Sequence, residues 1–318
     1  MVSATALCHG AATIVNAIAT GRGAAFGIGL GSRVTVELKD SPSITVLGSE
    51  SSVHGAEEDP KLVETCVKNA LKLFPKYGYG ATIKVESEIP VARGLKSSSV
   101  VANAAVLATF GALAKKHGGI KTLRIDKETH RQQLVINGAE LKDDVVLDIS
   151  IRSAKEAGVT ITGALDDAAA SYFGGFVVTD NLKNKIARRG MMEKLNAVIF
   201  VPEERAYTKD VDVVALKAFS RELDAVWSMA LSGDLYTAMT LNGLICSAAL
   251  ETEDRRRGTA VASAAMKAGA VAAGLSGKGP AVVAIVKGDT RGIKDAWSSL
   301  GGRVIETTVS NEKGRIVS

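Results

Sequence analysis

The segment Pro90-Val91-Ala92-Arg93-Gly94-Leu95-Lys96-Ser97-Ser98-Ser99 carries the strongest chemical signal in this chain. An alternating strand pattern enters it, a glycine turns it, and three hydroxyls open a long apolar run that reads as a helix. The first N–H groups of a helix have no partner within the helix, and its dipole adds positive potential at the same end. Together they make an anion site suited to phosphate, with Arg93 and Lys96 as mobile cations. A first-turn serine hydroxyl such as that of Ser98 can also ligate Mg²⁺. Plain helix capping is the simpler use of serine, but one residue would suffice for it. A second signal is Gly274-Leu275-Ser276-Gly277-Lys278-Gly279-Pro280, between two apolar strands. Its glycines let backbone approach a ligand closely, although an ordinary hairpin also favours glycine. The third is Gly163-Ala164-Leu165-Asp166-Asp167, followed by small residues and closed by Gly174-Gly175. Adjacent helical residues point about 100° apart, so the two acids have different jobs. One can face a cleft while the other caps the helix, or both can serve its dipole.

These residues need strands and helices to hold them. Residues 3 to 40 read as strands around the turn Gly21-Arg22-Gly23, and residues 60 to 74 as a helix with Leu62, Cys66, Ala70 and Leu73 on one face. Residues 81 to 89 alternate as a half-buried strand does. Ser97 to Lys116 is rich in Ala and Val with no charge before Lys115, the pattern of a helix buried on most sides. Helices are predicted at 143–157 and 166–173, strands at 175–179 and 195–201, then three or four helices from Thr208 to about Gly269. Strands at 271–275 and 281–286, a helix near 291–300 and a strand near 303–309 close the chain. Strands and helices mix in both halves, which makes the class α+β or α/β. The polar stretch from Lys183 to Arg189 is the best place for a domain boundary.

Composition narrows the function. The chain has 318 residues, 46% hydrophobic, with only 4% aromatics, which offers little for stacking on nucleic-acid bases. Net charge is +5, from 39 basic and 34 acidic residues, an excess that suits a small anion better than a nucleic-acid backbone. The runs Arg188-Arg189 and Arg255-Arg256-Arg257 read as solvated surface. Cys8, Cys66 and Cys246 are far apart and the histidines fall at no metal-ligand spacing, which fits reduced thiols in the cytoplasm. His9, in an apolar stretch, reads as structural. The first residues lack the pattern of a signal peptide, and no stretch is expected to span a membrane. No Gly-x-x-x-x-Gly-Lys-Ser/Thr loop occurs, so this is not a P-loop kinase, and no correctly placed Gly-x-Gly-x-x-Gly occurs, which argues against a Rossmann dehydrogenase.

The three signals, in this order, resemble the three motifs of the GHMP kinases, which include galactokinase, homoserine kinase and mevalonate kinase. That superfamily's central motif reads roughly Pro-x-x-x-Gly-Leu-Gly-Ser-Ser-Ala, and Pro90 to Ser99 departs from it at Lys96 and Ser99. Within the superfamily the chain is most similar to the archaeal shikimate kinases. The residues that carry this are Gly10 to Gly21, Gly94-Leu95-Lys96-Ser97-Ser98-Ser99 and Ala170-Ser171-Tyr172-Phe173-Gly174-Gly175.

The resemblance implies an α+β, two-domain GHMP kinase fold. Residues 1–185 would be like the second domain of ribosomal protein S5, and residues 186–318 would be ferredoxin-like. It implies ATP and Mg²⁺ as cofactors and shikimate as substrate, phosphorylated on its 3-hydroxyl, with no nucleic-acid or membrane partner. ATP phosphates would lie over Arg93 to Ser99 and against Gly277 and Gly279. Shikimate would meet Asn16, Ser276 and Lys278. By the mevalonate-kinase spacing Asp167 is the base, and by the homoserine-kinase spacing Asp166 is. Ser98 and Glu156, the latter eleven residues before Asp167, would hold the metal. Many GHMP kinases carry a lysine near a proline in their first motif; residues 3 to 14 have neither. Lys96 or Lys278 is left to supply that charge. The alternatives are a GHMP kinase for homoserine or mevalonate, and a non-catalytic ligand-binding regulator of the same fold.

Overall fold

The computed structural model describes residues 2–47, 60–91, 93–124, 130–160, 163–203, 212–250 and 253–318. Ala92 of the serine loop and Thr208 at the expected helix start lie outside the described residues, as do the side chains of Arg255, Arg256 and Arg257.

Two long strands, β1 (Val2–Val15) and β2 (Arg22–Lys39), form an antiparallel hairpin around the glycine turn. The far edge of β2 is shared. Residues 32–39 pair with β4 (Gly80–Ser87), which in turn pairs with the short parallel strand β3 (Ile44–Val46). Residues 22–26 pair instead with β8 (Phe176–Asp180), followed by the edge strand β9 (Lys185–Gly190). At the fork the C-terminal segment crosses β2 through the Ile28–Val309 bridge and the Ser310 N–H donating to Gly27 O. The last strand, β14 (Arg315–Ile316), then returns to β1. The boundary expected at 185–186 therefore falls at the start of a strand of the first sheet, and the chain end belongs to that sheet as well.

Packed on this sheet is α2 (Ser97–His117), buried without a break from Val100 to Ala114. By length and composition alone it could cross a bilayer, because Ser97 to Ala114 contains no charge. Its apolar surface is covered all round by β1, β2, α1 (Pro60–Leu71), α3 (Asp143–Ala157) and α4 (Leu165–Phe173). Helix α1 stops at Leu71, before Leu73, which is exposed rather than on the buried face. A hairpin the sequence reading did not find, β5 (Gly118–Arg124) with β6 (His130–Ile136) and β7 (Ala139–Glu140), follows α2.

The second sheet has the order β11 (Ala272–Leu275), β12 (Val282–Val286), β10 (Asn196–Val201), β13 (Arg303–Thr308), all antiparallel. With α5 (Val213–Lys217), α6 (Ser220–Ser232), α7 (Leu235–Ala249) and α8 (Glu253–Lys267) between β10 and β11, and α9 (Arg291–Ser298) between β12 and β13, this is the ferredoxin-like order. β10 is buried on both faces, which is why it reads as a continuous apolar run. Ile199 and Val201 join the core of the first sheet, while Val198 and Phe200 join the core under the helices, where Phe200 meets Trp297 edge-on.

Candidate active site

Three segments far apart in sequence are fastened together at the N-terminus of α2. Leu95 is buried and anchors the serine loop. The Ser276 hydroxyl donates to Gly94 O at 2.8 Å and accepts from Thr13 N–H at 3.2 Å. Ala281 N–H donates to Arg93 O at 3.2 Å. The Asn16 amide donates to Gly277 O at 2.9 Å, its oxygen accepts from Ile18 N–H, and its own N–H donates to Asn242 Oδ1. The glycine turn, the end of β1 and the serine loop thus form one rim. Beneath it lies a cavity bordered by Gly94, Lys96 and Ser97 to Ser99, and by Asp166, Asp167, Gly277 and Lys278.

Lys96 stands at the N-cap of α2 with φ 65° and ψ 26°, in the left-handed region that costs a non-glycine residue on the order of 1 kcal/mol. Glycine would adopt this backbone without that cost; lysine instead brings a cation to the helix start. The Lys96 ammonium lies 2.9 Å from Asp167 Oδ1, with both side chains mostly shielded from solvent. Gly277 leaves room for it, since a Cβ there would sit 2.9 Å from Lys96 Nζ.

The neighbouring acid lives differently. Asp166 is buried at 4% exposure, accepts from Asn181 Nδ2 at 2.9 Å, and packs on Gly23, where a Cβ would come within 2.4 Å of its Oδ2. Burial, and next the charge of Asp167, push its carboxyl up to about 7. Asn181 is held in turn by the Thr179 hydroxyl at 2.7 Å. It does not act as a helix cap: the N-cap of α4 is Ala164, with no side-chain capping bond. The helix bearing both acids is tied to α2 by Asn103, whose amide donates to Ala168 O at 2.8 Å and Ser171 Oγ at 2.6 Å.

The structure brings Gly94, Lys96, Ser97, Ser98, Ser99, Asp166, Asp167, Gly277, Lys278 and Asn16 to one cavity. Other expected residues stand elsewhere. Ser276, read as a substrate contact, is outside the cavity wall because the rim engages its hydroxyl. Arg93 turns away to donate to Glu203 O at 2.7 Å, and Leu95 and Gly279 shape the loops without bordering the cavity. Glu156 is exposed on α3 and accepts from Asn69 Nδ2 at 2.8 Å, which lowers its pKa. The residues of α3 that border the cavity are Ser150, Ile151 and Ala154, none of them acidic. The spacing argument for Glu156 as a metal ligand fails because the helical phase turns it toward α1. Among the described residues no group of three His, Cys, Asp or Glu could hold a metal ion. His9 is buried against Glu312 at 3.8 Å, outside the cavity wall. Sequence reasoning missed Thr13, Asn103 and Asn181; the signal for Thr13 was a polar residue inside the apolar run from Gly10 to Val15.

A model of the GHMP kinase N-terminal domain matches residues 62–175, which spans the serine loop and both aspartates. A shikimate kinase of Methanothrix thermoacetophila is 43% identical over 98% of this chain and 95% of its own length. The chain belongs to the archaeal shikimate kinases of the GHMP superfamily. Another member, the shikimate kinase of Methanothermobacter thermautotrophicus, is 36% identical over 100% of this chain and 99% of that one. Solved GHMP kinases share the fold over the full length. The homoserine kinase of Cytophaga hutchinsonii superposes with TM-score 0.68 at 17% identity, covering 100% of this chain and 98% of the other. The mevalonate kinase of Methanococcus jannaschii does so with TM-score 0.67 at 19% identity, covering 99% and 98%. At these identities the GHMP structures speak to fold alone.

Proposed function

We propose that this chain transfers the γ-phosphoryl group of ATP to the 3-hydroxyl of shikimate, giving shikimate 3-phosphate and ADP. The observation that carries the chemistry is the Lys96–Asp167 pair, set at the mouth of the serine-rich start of α2 in a single cavity. Phosphoryl transfer asks a protein for alignment, charge neutralisation and a base for the attacking hydroxyl. The α2 terminus meets the phosphates with its unpaired N–H groups and dipole, and the hydroxyls of Ser97, Ser98 and Ser99 add donors. Lys96 holds Asp167 Oδ1, which leaves Oδ2 to orient the hydroxyl and take its proton. As negative charge builds on the transferring group, the Lys96 ammonium lies beside it. This is the charge that the N-terminal motif of other GHMP kinases supplies and that residues 3 to 14 lack. Lys278 is the cation on the glycine turn for the substrate carboxylate.

Mg²⁺ accompanies the nucleotide. A hard ion of this kind is usually held by one or two protein oxygens plus phosphates and waters, which fits a wall offering the Ser98 hydroxyl. The ion would neutralise phosphate charge. The phosphate loop and both aspartates belong to the part of the chain built on the first sheet, and the glycine turn joins two strands of the second. The three cysteines, all free and buried, suit a reducing cytoplasm.

The test is ADP release with shikimate, homoserine and mevalonate as acceptors, with the phosphorylated product located by NMR. Turnover on shikimate with phosphate at O3 is expected. Turnover only on another alcohol, or none on any, would overturn the reading.

A further inference from the structure

The geometry points to Thr13 as a specificity residue, its hydroxyl reserved for a ring hydroxyl of the substrate that is not phosphorylated. This rests on the proposal that the cavity takes shikimate. Thr13 lies on β1, opposite Ala25 of β2, and is 1% exposed. Its backbone N–H is already engaged by Ser276. Thr13 borders the cavity, and its buried Oγ1 has no hydrogen-bond partner among the described residues. A buried hydroxyl without a partner is unfavourable, and valine would fill the same volume without that cost. The hydroxyl is therefore placed for something that enters the cavity.

The chemistry of the wall says which part of the substrate it meets. Cations are provided elsewhere, by Lys96 and Lys278, and the Asp167 carboxylate takes the reacting hydroxyl. Thr13 brings no charge but can both donate and accept, which matches another neutral hydroxyl on the ring. A site built around such a bond rejects ligands that lack the partner, because a polar group is then left buried and unpaired.

The experiment combines protein and substrate changes. Thr13→Val should raise the KM for shikimate about 10-fold, as expected for one hydrogen bond, leave the KM for ATP as in the wild type, and keep the melting temperature at or above the wild-type value. Thr13→Ser should restore the shikimate KM. Of 4-deoxy- and 5-deoxyshikimate, one should lose the same factor with the wild type and nothing further with Thr13→Val. A wild-type KM in Thr13→Val, a lowered melting temperature, or wild-type handling of both deoxy analogues would overturn the assignment. If the wild type turns over shikimate normally while these results appear, only the Thr13 contact falls. If the wild type ignores shikimate, the proposed substrate falls and the contact with it.

Discussion

Replacing Asp166 by asparagine should make the protein more stable above neutral pH. Asp166 is buried between Gly23, Asn181 and its neighbour Asp167, and burial first, then the Asp167 charge, raise its carboxyl to about 7. In the unfolded chain an aspartate titrates near 3.9. Between these values the folded protein binds a proton that the unfolded chain has released. Stability from this group is therefore fully present below about pH 4 and is lost as pH rises through about 7. Each pKa unit corresponds to about 1.4 kcal/mol, so about three units give up to about 4 kcal/mol across the window. Because the two acids interact, the proton belongs to the pair, and burial localises it on Asp166. Asparagine keeps the shape, can still accept from Asn181 through its oxygen, and never ionises. Urea unfolding of wild type and Asp166→Asn at pH 5, 6, 7 and 8 isolates the effect, since other titrating groups cancel in the difference. The variant's advantage should grow with pH and level off near pH 8, with turnover retained. A variant less stable by the same amount at every pH would mean that the Asp166 carboxyl gains no proton on folding, and the reasoning from its burial would fail. Loss of turnover in Asp166→Asn with activity kept in Asp167→Asn would exchange the two roles.

Lys96→Gly separates strain from charge. Glycine relieves a left-handed backbone worth about 1 kcal/mol, but it leaves Asp167, mostly shielded from solvent, without its ion-pair partner, which costs more, so urea midpoints should fall. Steady-state kcat should fall by about 10²-fold or more, and an unchanged kcat would remove Lys96 from the chemistry. Ser98→Ala should lower kcat by a similar factor and make activity more dependent on Mg²⁺ concentration in a titration. Wild-type activity at limiting Mg²⁺ would show that this hydroxyl touches neither ion nor phosphate.

Local pattern by itself specified the parts of this protein that depend on periodicity and composition. The charge-free run after Ser97 must be buried all round, and α2 is. The alternation of residues 81 to 89 and the apolar run at 195–201 are strands, one half-buried and one covered on both faces. The three hydroxyls after Gly94 and the two acids before Gly174-Gly175 marked the cavity, because each needs only a loop and a helix start to make chemical sense. Hairpin β5–β6 went unread, since its exposed polar residues blur the alternation. Helical phase against a neighbour, which no spacing within one segment contains, turned Glu156 toward Asn69 and away from the cavity. The rim claimed the Ser276 hydroxyl through partners more than 180 residues distant. The division of labour between Asp166 and Asp167 was likewise tertiary. Burial against Gly23 and Asn181 takes one carboxylate out of solvent, and Lys96, seventy-one residues earlier, reaches the other. Solvation and charge pairing act through space, so only the folded chain decides which of two adjacent aspartates keeps its proton.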